Sequence, residues 1–196
     1  MKVTDIKRQV SRKNWFNIFV DGQYAFSLNQ TSIVENQLKI GQNLDQKDLV
    51  KLKQISNNDK IYAQTLRLVA ARPKSQWEVK TYLERHGLSP AAINEILNKL
   101  SNMQLVNDYN FAEVYLRSLK LHSPASRRKI IAKLKQKHID PEVIYEVIKK
   151  SEVDDRTALS ELVAIKKSQY KDQRKLMAYL ARQGFNYSDI KEALKA

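Results

Sequence analysis

A basic segment in the middle of the chain is the strongest indication of chemistry in this sequence. Residues 117–138 contain no Asp or Glu but hold eight Lys and Arg residues. These are Arg117, Lys120, Arg127, Arg128, Lys129, Lys133, Lys135 and Lys137. At 100° per residue, Ile130, Ile131 and Leu134 form an apolar stripe on one side of a helix whose other sides are basic. Because solvated helix faces normally mix both charge signs, this segment favours a surface that binds a polyanion.

Cations also stand at two predicted helix starts, where the helix dipole favours negative charge. Three aligned positions predict N-caps, namely Ser75, Ser126 and Asp172. The first of them is followed three residues later by Glu78, which predicts a capping box. The other two starts carry the cations Arg127, Arg128, Lys129, Arg174 and Lys175. Each exposed cation there costs about 0.3–1 kcal/mol, so either a phosphate or carboxylate binds at these starts or solvent screens the charges.

The helices that position these cations recur along the chain as a threefold repeat. Three segments align, at offsets of 51 and 46 residues, when their central leucines are placed in register: Leu83, Leu134 and Leu180. Each segment predicts three short amphipathic helices, the smallest helical bundle that can bury its apolar stripes. In the first segment these helices are expected at 60–71, 76–86 and 90–101. Residues that tolerate left-handed geometry follow the second helix at the aligned positions Gly87, His138 and Gly184.

The first 28 residues show a different pattern, in which apolar residues recur with a period of two and predict strands. The pair Asp21-Gly22 tolerates positive φ at both turn positions and predicts a type I′ hairpin. A three-stranded antiparallel sheet is only marginally stable alone, so we expect it to rest on short helices near 32–37 and 45–55. Two roles stay open for the hairpin aromatics, packing on the first helical segment or contacting a partner; they are Trp15, Phe19 and Tyr24.

Sequence signatures of catalysis and cofactor binding are absent. Without cysteine there is no thiolate nucleophile, disulfide or cysteine zinc site. The four glycines are isolated, so there is no Gly-rich phosphate loop, and the three histidines, His86, His122 and His138, lie far apart in sequence without metal-ligand spacing. Acidic pairs such as Asp154-Asp155 are better explained as helix caps than as a two-metal site. We therefore expect a protein that is not an enzyme and uses no cofactor or metal.

Charge and length predict a soluble chain with a polyanionic partner. The 196 residues carry 35 Lys and Arg against 21 Asp and Glu, for a net charge of +14. No apolar run is long enough to span a bilayer, and the first ten residues lack a signal-peptide core. We therefore expect a cytoplasmic, mainly α-helical protein without membrane contact. Its expected parts are an N-terminal sheet region over 1–56 and three-helix repeats over 57–105, 106–151 and 152–196.

Two segments resemble signatures of the RecX family, bacterial regulators of the RecA recombinase. Residues 105–117, LVNDYNFAEVYLR, are similar to the family's LNDxxFAxxYxRS motif. Residues 72–87, which begin Arg72-Pro73-Lys74-Ser75 and end at Gly87, are similar to its RPxSxxEVxxYLxxxG motif. The order and spacing of these motifs, together with the tandem helical segments and the N-terminal hairpin, extend the resemblance over nearly the whole chain.

The resemblance implies tandem three-helix-bundle repeats in an elongated, curved array that lies along the RecA filament on single-stranded DNA. The family's usual effect is inhibition of strand exchange, ATP hydrolysis and coprotease activity, and the sequence leaves open whether this chain inhibits or assists RecA. We expect a monomer whose serial basic helices contact the recombinase or DNA phosphates. The predicted contact residues are Arg72, Lys74, Arg117, Lys120, Arg127, Arg128, Lys129, Lys133, Lys135, Lys137, Lys171, Arg174 and Lys175.

Two other interpretations share the basic surface. A sequence-specific regulator of duplex DNA would use helix-turn-helix-like units in the major groove and would not need the recombinase. An RNA-associated scaffold would bind through the same cations. Comparing binding to random single strands, random duplex and RecA-coated single strands separates these interpretations.

Overall fold

The computed structural model describes residues 1–122, 124–151 and 153–195. Its strands are β1 (Val3–Arg8), β2 (Trp15–Val20) and β3 (Gln23–Asn29). Its helices are α1 (Gln30–Glu35), α2 (Gln46–Ala71), α3 (Gln76–Arg85), α4 (Pro90–Asn102), α5 (Asp108–His122), α6 (Arg127–Gln136), α7 (Pro141–Lys150), α8 (Asp155–Lys166), α9 (Gln173–Arg182) and α10 (Tyr187–Lys195). Across the described ranges, none of these helices combines the length and the apolar character needed to cross a membrane.

The chain forms two compact units. The N-terminal unit consists of Met1–Leu68 and Leu83–Ile96, and the C-terminal unit consists of Val69–Tyr82 and the chain from Leu97 onward. The boundaries fall inside α2, α3 and α4, so the predicted first repeat, 57–105, contributes residues to both units.

The three strands form the predicted antiparallel sheet in the order β1-β2-β3. Asp21 and Gly22 join β2 to β3 with φ angles of 47° and 80°, the left-handed geometry of a type I′ turn. Val20 and Gln23 pair directly across this turn, so the hairpin prediction is confirmed. One face of the sheet packs on α1 and α2, in a core formed by Val3, Ile18, Val20, Phe26, Leu28, Leu38, Leu44 and Leu52.

The hairpin aromatics lie in different surroundings. Trp15 is only 9% exposed. Phe19 and Tyr24 meet edge to face, with ring centroids 6.2 Å apart. Tyr24 is 54% exposed, and a contact between this residue and a partner stays a prediction.

Helix α2 differs from the sequence prediction of two helices near 45–55 and 60–71. It runs without a break from Gln46 to Ala71. No Gly or Pro interrupts this stretch, so nothing forces the backbone out of helical geometry. Ser56, where the break was expected, is buried and donates its hydroxyl to the carbonyl oxygen of Ser27 at 2.6 Å. This hydrogen bond ties the middle of α2 to β3.

Two three-helix bundles make up most of the C-terminal unit. The middle bundle, α5–α7, has a core of Phe111, Ala112, Leu116, Ala125, Ile130, Leu134, Ile139, Ile144, Val147 and Ile148. The last bundle, α8–α10, has a core of Leu159, Leu162, Val163, Leu176, Leu180, Phe185 and Ile190. Each bundle buries its own apolar stripes, as amphipathic helices of this length require. The predicted fold class, mainly α with tandem three-helix bundles and a small N-terminal sheet, is confirmed.

The predicted helix caps and turns are also confirmed. Glu78 donates its backbone N–H to Ser75 Oγ at 3.1 Å, and its carboxylate accepts the Ser75 N–H at 3.4 Å. Ser126 and Asp172 each accept a backbone N–H of the following helix. The aligned turn residues have φ angles of 73°, 55° and 93°; they are Gly87, His138 and Gly184.

Candidate polyanion-binding surface

Helix α6 positions the central cations of the basic segment. Ser126 caps its start by accepting the Lys129 backbone N–H at 3.1 Å. Ile130 and Leu134 are buried in the core of the middle bundle, and Ile131 packs against that core, as the apolar stripe predicts. Burial of this stripe fixes the rotation of α6, so its cations are held on the remaining sides.

Five of the predicted cations on α5 and α6 are solvent-exposed, namely Arg117, Lys120, Arg127, Arg128 and Lys135. Arg128 and Lys135 are seven residues apart, which places both on one side of α6. Lys120 donates its ammonium to the carbonyl oxygen of Ser151 at 2.9 Å. Neither Arg128 nor Lys135 forms an ion pair within the part of the chain that the structure describes. Both charges are therefore presented to solvent, where a partner can reach them.

A second row of α6 cations lies half-buried against neighbouring helices. Lys129, Lys133 and Lys137 are spaced four residues apart and share one side of the helix. Lys137 Nζ lies 2.7 Å from Glu78 Oε1, at the start of α3. Lys129 Nζ donates to the side-chain oxygen of Gln183, at the end of α9. Burial and the nearby Lys133 charge lower the pKa of Lys129. Both ends of this row therefore contact other parts of the C-terminal unit.

We call the contact between the start of α3 and the middle bundle the first joint. In this joint the Gln76 backbone N–H donates to Asp108 Oδ1 at 2.7 Å. Trp77 stacks on His138, with ring centroids 4.4 Å apart and planes inclined by 23°. The ion pair of Lys137 described above completes the joint. The first joint thus combines a hydrogen bond, an aromatic stack and an ion pair within the first turn of α3.

The two carboxylates of the first joint have pKa values shifted in opposite directions. Burial acts to raise the pKa of Glu78, but the hydrogen bond from Lys137 and the charges of Lys137 and Lys74 lower it below its ordinary value. Burial raises the pKa of Asp108, and the hydrogen bond from the Gln76 N–H only partly opposes this. Glu78 is therefore held in its ionised form by the paired lysine.

The contact between the start of α6 and the last bundle is the second joint, and it repeats this layout. The Arg127 backbone N–H donates to Asp155 Oδ1 at 2.6 Å. Ser126 Oγ donates to the carbonyl oxygen of Gln183 at 2.7 Å, and Lys129 contacts the side chain of the same residue. The carboxylate expected at this cationic helix start is therefore Asp155 of the chain itself. Asp155 binds a backbone N–H at this start, and a contact of the cationic side chains with an external anion stays a prediction.

The remaining predicted cations lie at two other helix starts. Before α3, Arg72 is exposed and Lys74 is half-buried. Around the start of α9, three cations are exposed: Lys171, Arg174 and Lys175. Asp172 caps α9 by accepting a backbone N–H at 2.8 Å. The predicted residues are thus distributed over three helix starts and the α5–α6 surface, and which of them contact a partner stays a prediction.

Sequence reasoning missed one cation of this surface, Lys150. It lines a groove of about 240 Å³ between α5 and α7 together with Arg117 and Lys120. Lys150 Nζ lies 2.8 Å from Glu113 Oε1, so folding brings a carboxylate next to the basic segment although none lies within its sequence. The sequence signal that could have identified Lys150 is the pair Lys149-Lys150 at the end of α7, where cations interact favourably with the helix dipole.

This surface offers the chemistry of charge-assisted hydrogen bonds to anions. Guanidinium groups can hold two phosphate or carboxylate oxygens at once, and ammonium groups act as point charges. Among the described residues, no three His, Asp or Glu side chains come together as metal ligands. The arrangement is suited to an extended anionic partner more than to a small enclosed substrate.

The fold defines a class of proteins in which tandem three-helix bundles follow a small N-terminal sheet along the chain. Four family models match the chain in the same order. They are the RecX N-terminal domain over residues 1–45 and the first, second and third three-helix domains of RecX over 62–100, 107–148 and 163–194. The chain belongs to the RecX family of regulatory proteins.

Curated relatives carry the same description over most of this sequence. The chain is 31% identical to the regulatory protein RecX of Listeria monocytogenes over 200 residues, which cover 98% of this chain and 74% of the relative. It is 28% identical to that of Bacillus licheniformis over 200 residues, which cover 98% of this chain and 76% of the relative. These relatives are therefore longer than the present sequence.

Two solved structures resemble the fold. A crystal structure of a regulatory protein RecX matches 100% of this chain and 99% of that chain with a TM-score of 0.76 at 23% identity. The crystal structure of RecX from Lactobacillus salivarius matches 71% of this chain and 95% of that chain with a TM-score of 0.56 at 27% identity. The first likeness supports the fold over the whole length.

Proposed function

We propose that this protein regulates the RecA recombinase without catalysing a reaction, by binding along the RecA filament on single-stranded DNA through its basic helical bundles. Its expected effect is inhibition of strand exchange, ATP hydrolysis and coprotease activity. Membership of the RecX family supports the recombinase as partner. The cytoplasm, where that filament forms, is the expected location, and the monomer is the expected form.

The observation that carries the proposal is the exposed set of cations on α5 and α6. Arg128 and Lys135 share one side of α6, and Arg117 is exposed on α5. Among the described residues, none of the three side chains forms an ion pair or hydrogen bond in the joints, although the Arg128 Cβ lies close to Gly184 of the second joint. Their charged groups can therefore bind a partner. Contacts of this kind are individually weak, and several engaged at once strengthen one another.

The third helix of the middle bundle argues against the alternative of a sequence-specific duplex DNA-binding protein. In a helix-turn-helix unit, the helix after the turn enters the major groove. Here that helix is α7, and its solvent-exposed residues include Glu142, Tyr145 and Glu146. These two carboxylates oppose DNA phosphates and offset the exposed Lys149 and Lys150 at the end of the helix, so α7 carries no net positive charge. A regulator that recognises duplex sequence would need a different face.

The test measures RecA-dependent ATP hydrolysis on single-stranded DNA while the concentration of this protein is varied. We expect the variant R117A/R128A/K135A to need about tenfold more protein for half inhibition, because three phosphate or carboxylate contacts are lost. A matched control is K39A/K47A/K53A, which removes the same charge from exposed lysines of the N-terminal unit. That control should behave nearly as the unaltered protein does.

Equal potency of the α5–α6 variant and the unaltered protein would contradict this surface as the contact. No change of ATP hydrolysis by the unaltered protein would contradict the proposed function itself. Lys129 is excluded from the variant because it belongs to the second joint. Deleting the last bundle is also a poor test, because Asp155 and Gln183 contact the start of α6.

A further inference from the structure

A second basic groove lies in the N-terminal unit, apart from the cations discussed above. It has a volume of about 180 Å³ and is lined by Arg12, Lys60, Ala63, Gln64 and Arg67. We propose that this groove binds the phosphodiester backbone of single-stranded DNA. The N-terminal unit then has a DNA contact of its own, which goes beyond the proposed α5–α6 surface and does not require the recombinase.

One wall of the groove is the second half of α2. Lys60, Ala63, Gln64 and Arg67 follow the spacing i, i+3, i+4, i+7, so a single face of the helix presents them. Lys60 and Arg67 are about 10 Å apart along the helix axis. The small side chain of Ala63 lies between the longer ones and leaves the floor of the groove open. This wall therefore offers two cations in a row to an extended ligand.

The opposite wall is the loop between β1 and β2, which hydrogen bonds hold in place. The Trp15 N–H donates to the Arg12 carbonyl at 3.0 Å, and the Gln9 N–H donates to the Trp15 carbonyl at 2.8 Å. The Gln30 N–H donates to the Asn14 carbonyl at 3.0 Å. The Arg12 guanidinium lies over the Trp15 ring, 5.5 Å from its centroid. Arg12 thus projects from an anchored loop and stacks on a buried ring.

The lining favours an anion, because three of its five residues are cations and none is a carboxylate. Asp59, next to Lys60 in sequence, accepts hydrogen bonds from Ser32 Oγ at 3.0 Å and from the Asn29 N–H at 3.3 Å. Two of the three cations are arginines, whose planar guanidinium matches the two free oxygens of a phosphodiester. A flexible single strand can adjust its backbone to a groove of this size.

The test removes the groove cations from the full chain in the variant R12A/K60A/R67A. K39A/K47A/K53A is the matched control, since it removes three exposed cations of the same unit that do not line the groove. Binding of fluorescein-labelled oligothymidylate is followed by anisotropy over a range of salt concentrations. We expect the groove variant to lose about tenfold more affinity than the control, and the slope of log K against log salt to become shallower by about 2. Equal losses in both variants would overturn the proposal.

A second measurement reports on the groove without removing its charges. The chain has two tryptophans, so the variant W77F leaves Trp15, under Arg12, as the only indole. Oligothymidylate should change the Trp15 emission with the same midpoint that anisotropy gives. Binding seen by anisotropy with no change of Trp15 emission would overturn the proposal.

A competitor identifies the chemical class of the occupant. Polyglutamate at equal charge concentration should displace oligothymidylate much less effectively from the unaltered protein than unlabelled oligothymidylate does. Equal displacement would show that the groove does not distinguish an acidic polypeptide from DNA, and it would overturn the assignment to DNA. Each of these experiments omits the recombinase, so their failure is distinguishable from failure of the proposed function, which is tested on RecA filaments with α5–α6 variants.

Discussion

The two joints of the C-terminal unit share one layout but use different side chains. In both, the first backbone N–H of a helix donates to an Asp of the following bundle, Asp108 in the first joint and Asp155 in the second. In both, a fully buried Ser caps the helix. The joints differ three residues after the cap, where the first has Glu78 and the second has Lys129.

The residue that contacts this third position after the cap also differs between the two joints, as does the charge at the position. Glu78 meets the cation Lys137, whereas Lys129 meets the neutral amide Gln183. Both partners stand immediately before the left-handed turn residue, His138 or Gly184. The comparison teaches that the next bundle of the same chain supplies a polar partner for the residue three positions after the cap. A cation at that one position is therefore weaker evidence for an external anion than an exposed cation at the same helix start.

The largest effect on stability is expected from replacing Gly184, the residue of the second joint whose backbone has left-handed geometry. G184A places a Cβ at φ 93° and against Ser126 Oγ, with the Lys129 backbone nitrogen 3.3 Å away. We expect the free energy of unfolding to fall by about 3 kcal/mol, from left-handed strain and overpacking together. Denaturant unfolding followed by circular dichroism measures this loss. The matched control is G87A, at φ 73° with no atom within 4 Å of its Cβ, which should cost about 1 kcal/mol. Equal costs would contradict a close approach at the second joint.

The ion pair between Glu78 and Lys137 in the first joint should contribute less to the free energy of unfolding than the close approach at Gly184 does. E78Q removes the charge but keeps an N3 side chain that can complete the capping box. The side chains of Glu78 and Lys137 are 18% and 30% exposed, and solvent screening limits the expected loss to about 0.5–1 kcal/mol. The same measurement on E113Q, whose exposed ion pair with Lys150 has nearly the same length, should give a smaller loss.

The pH dependence of stability tests the same ion pair. The folded pKa of Glu78 lies below its ordinary value of 4.5, so its ionised form stabilises the fold at and above that pH. This contribution is lost as the pH falls through the lowered folded pKa. The stability difference between the unaltered protein and E78Q should therefore be constant at neutral pH and shrink in acid. A difference that grows in acid would contradict the pairing.

A charge reversal in the second joint should have a small stabilising effect. K129E removes a cation from the first turn of α6 and creates a capping box with Ser126. We expect a gain of about 0.5 kcal/mol, measured by denaturant unfolding. K175E makes the same change at the start of α9, where the lysine is exposed. A loss of stability in K129E together with a gain in K175E would mean that the contact of Lys129 with Gln183 outweighs the helix dipole.

The smallest effect on stability is expected from replacing His138 by glycine, since His138 is the residue of the first joint whose backbone has left-handed geometry. H138G relieves left-handed strain at φ 55° but removes the stack on Trp77. The two contributions are each about 1 kcal/mol and opposite in sign, so the unfolding midpoint should hardly move. H138A removes the stack on Trp77 but keeps the left-handed backbone strain, so it should lower the free energy of unfolding by about 1 kcal/mol. Identical stabilities of the two variants would contradict a role for backbone strain at this turn.

Much of the fold was predictable because local chemistry decides it. The pair Asp21-Gly22 specifies a hairpin turn, and Ser75 with Glu78 specifies a capping box, whatever surrounds them. The continuity of α2 was missed because a polar stretch around Ser56 reads as a break in apolar periodicity. Only the fold supplies the Ser27 carbonyl that accepts the buried hydroxyl.

The candidate surface was predictable as a segment but not as a set of contacts. The lack of carboxylates over 117–138 identified the basic segment, and burial of Ile130 and Leu134 followed from helical periodicity. The assignment of Lys129 and Lys137 to the joints depends on residues 54 and 59 positions away in sequence. The ion pair between Glu113 and Lys150 also depends on the packing of residues distant in sequence, and no sequence spacing predicts it.

The sequence alone determined the helical repeats, the hairpin, the caps, the left-handed turns and the excess of positive charge, because each depends on neighbours within one or two turns of chain. The tertiary structure alone decided which cations are paired inside the molecule and which remain exposed. That distinction depends on distances between residues far apart in sequence, which only the packing of the bundles and of the N-terminal sheet establishes.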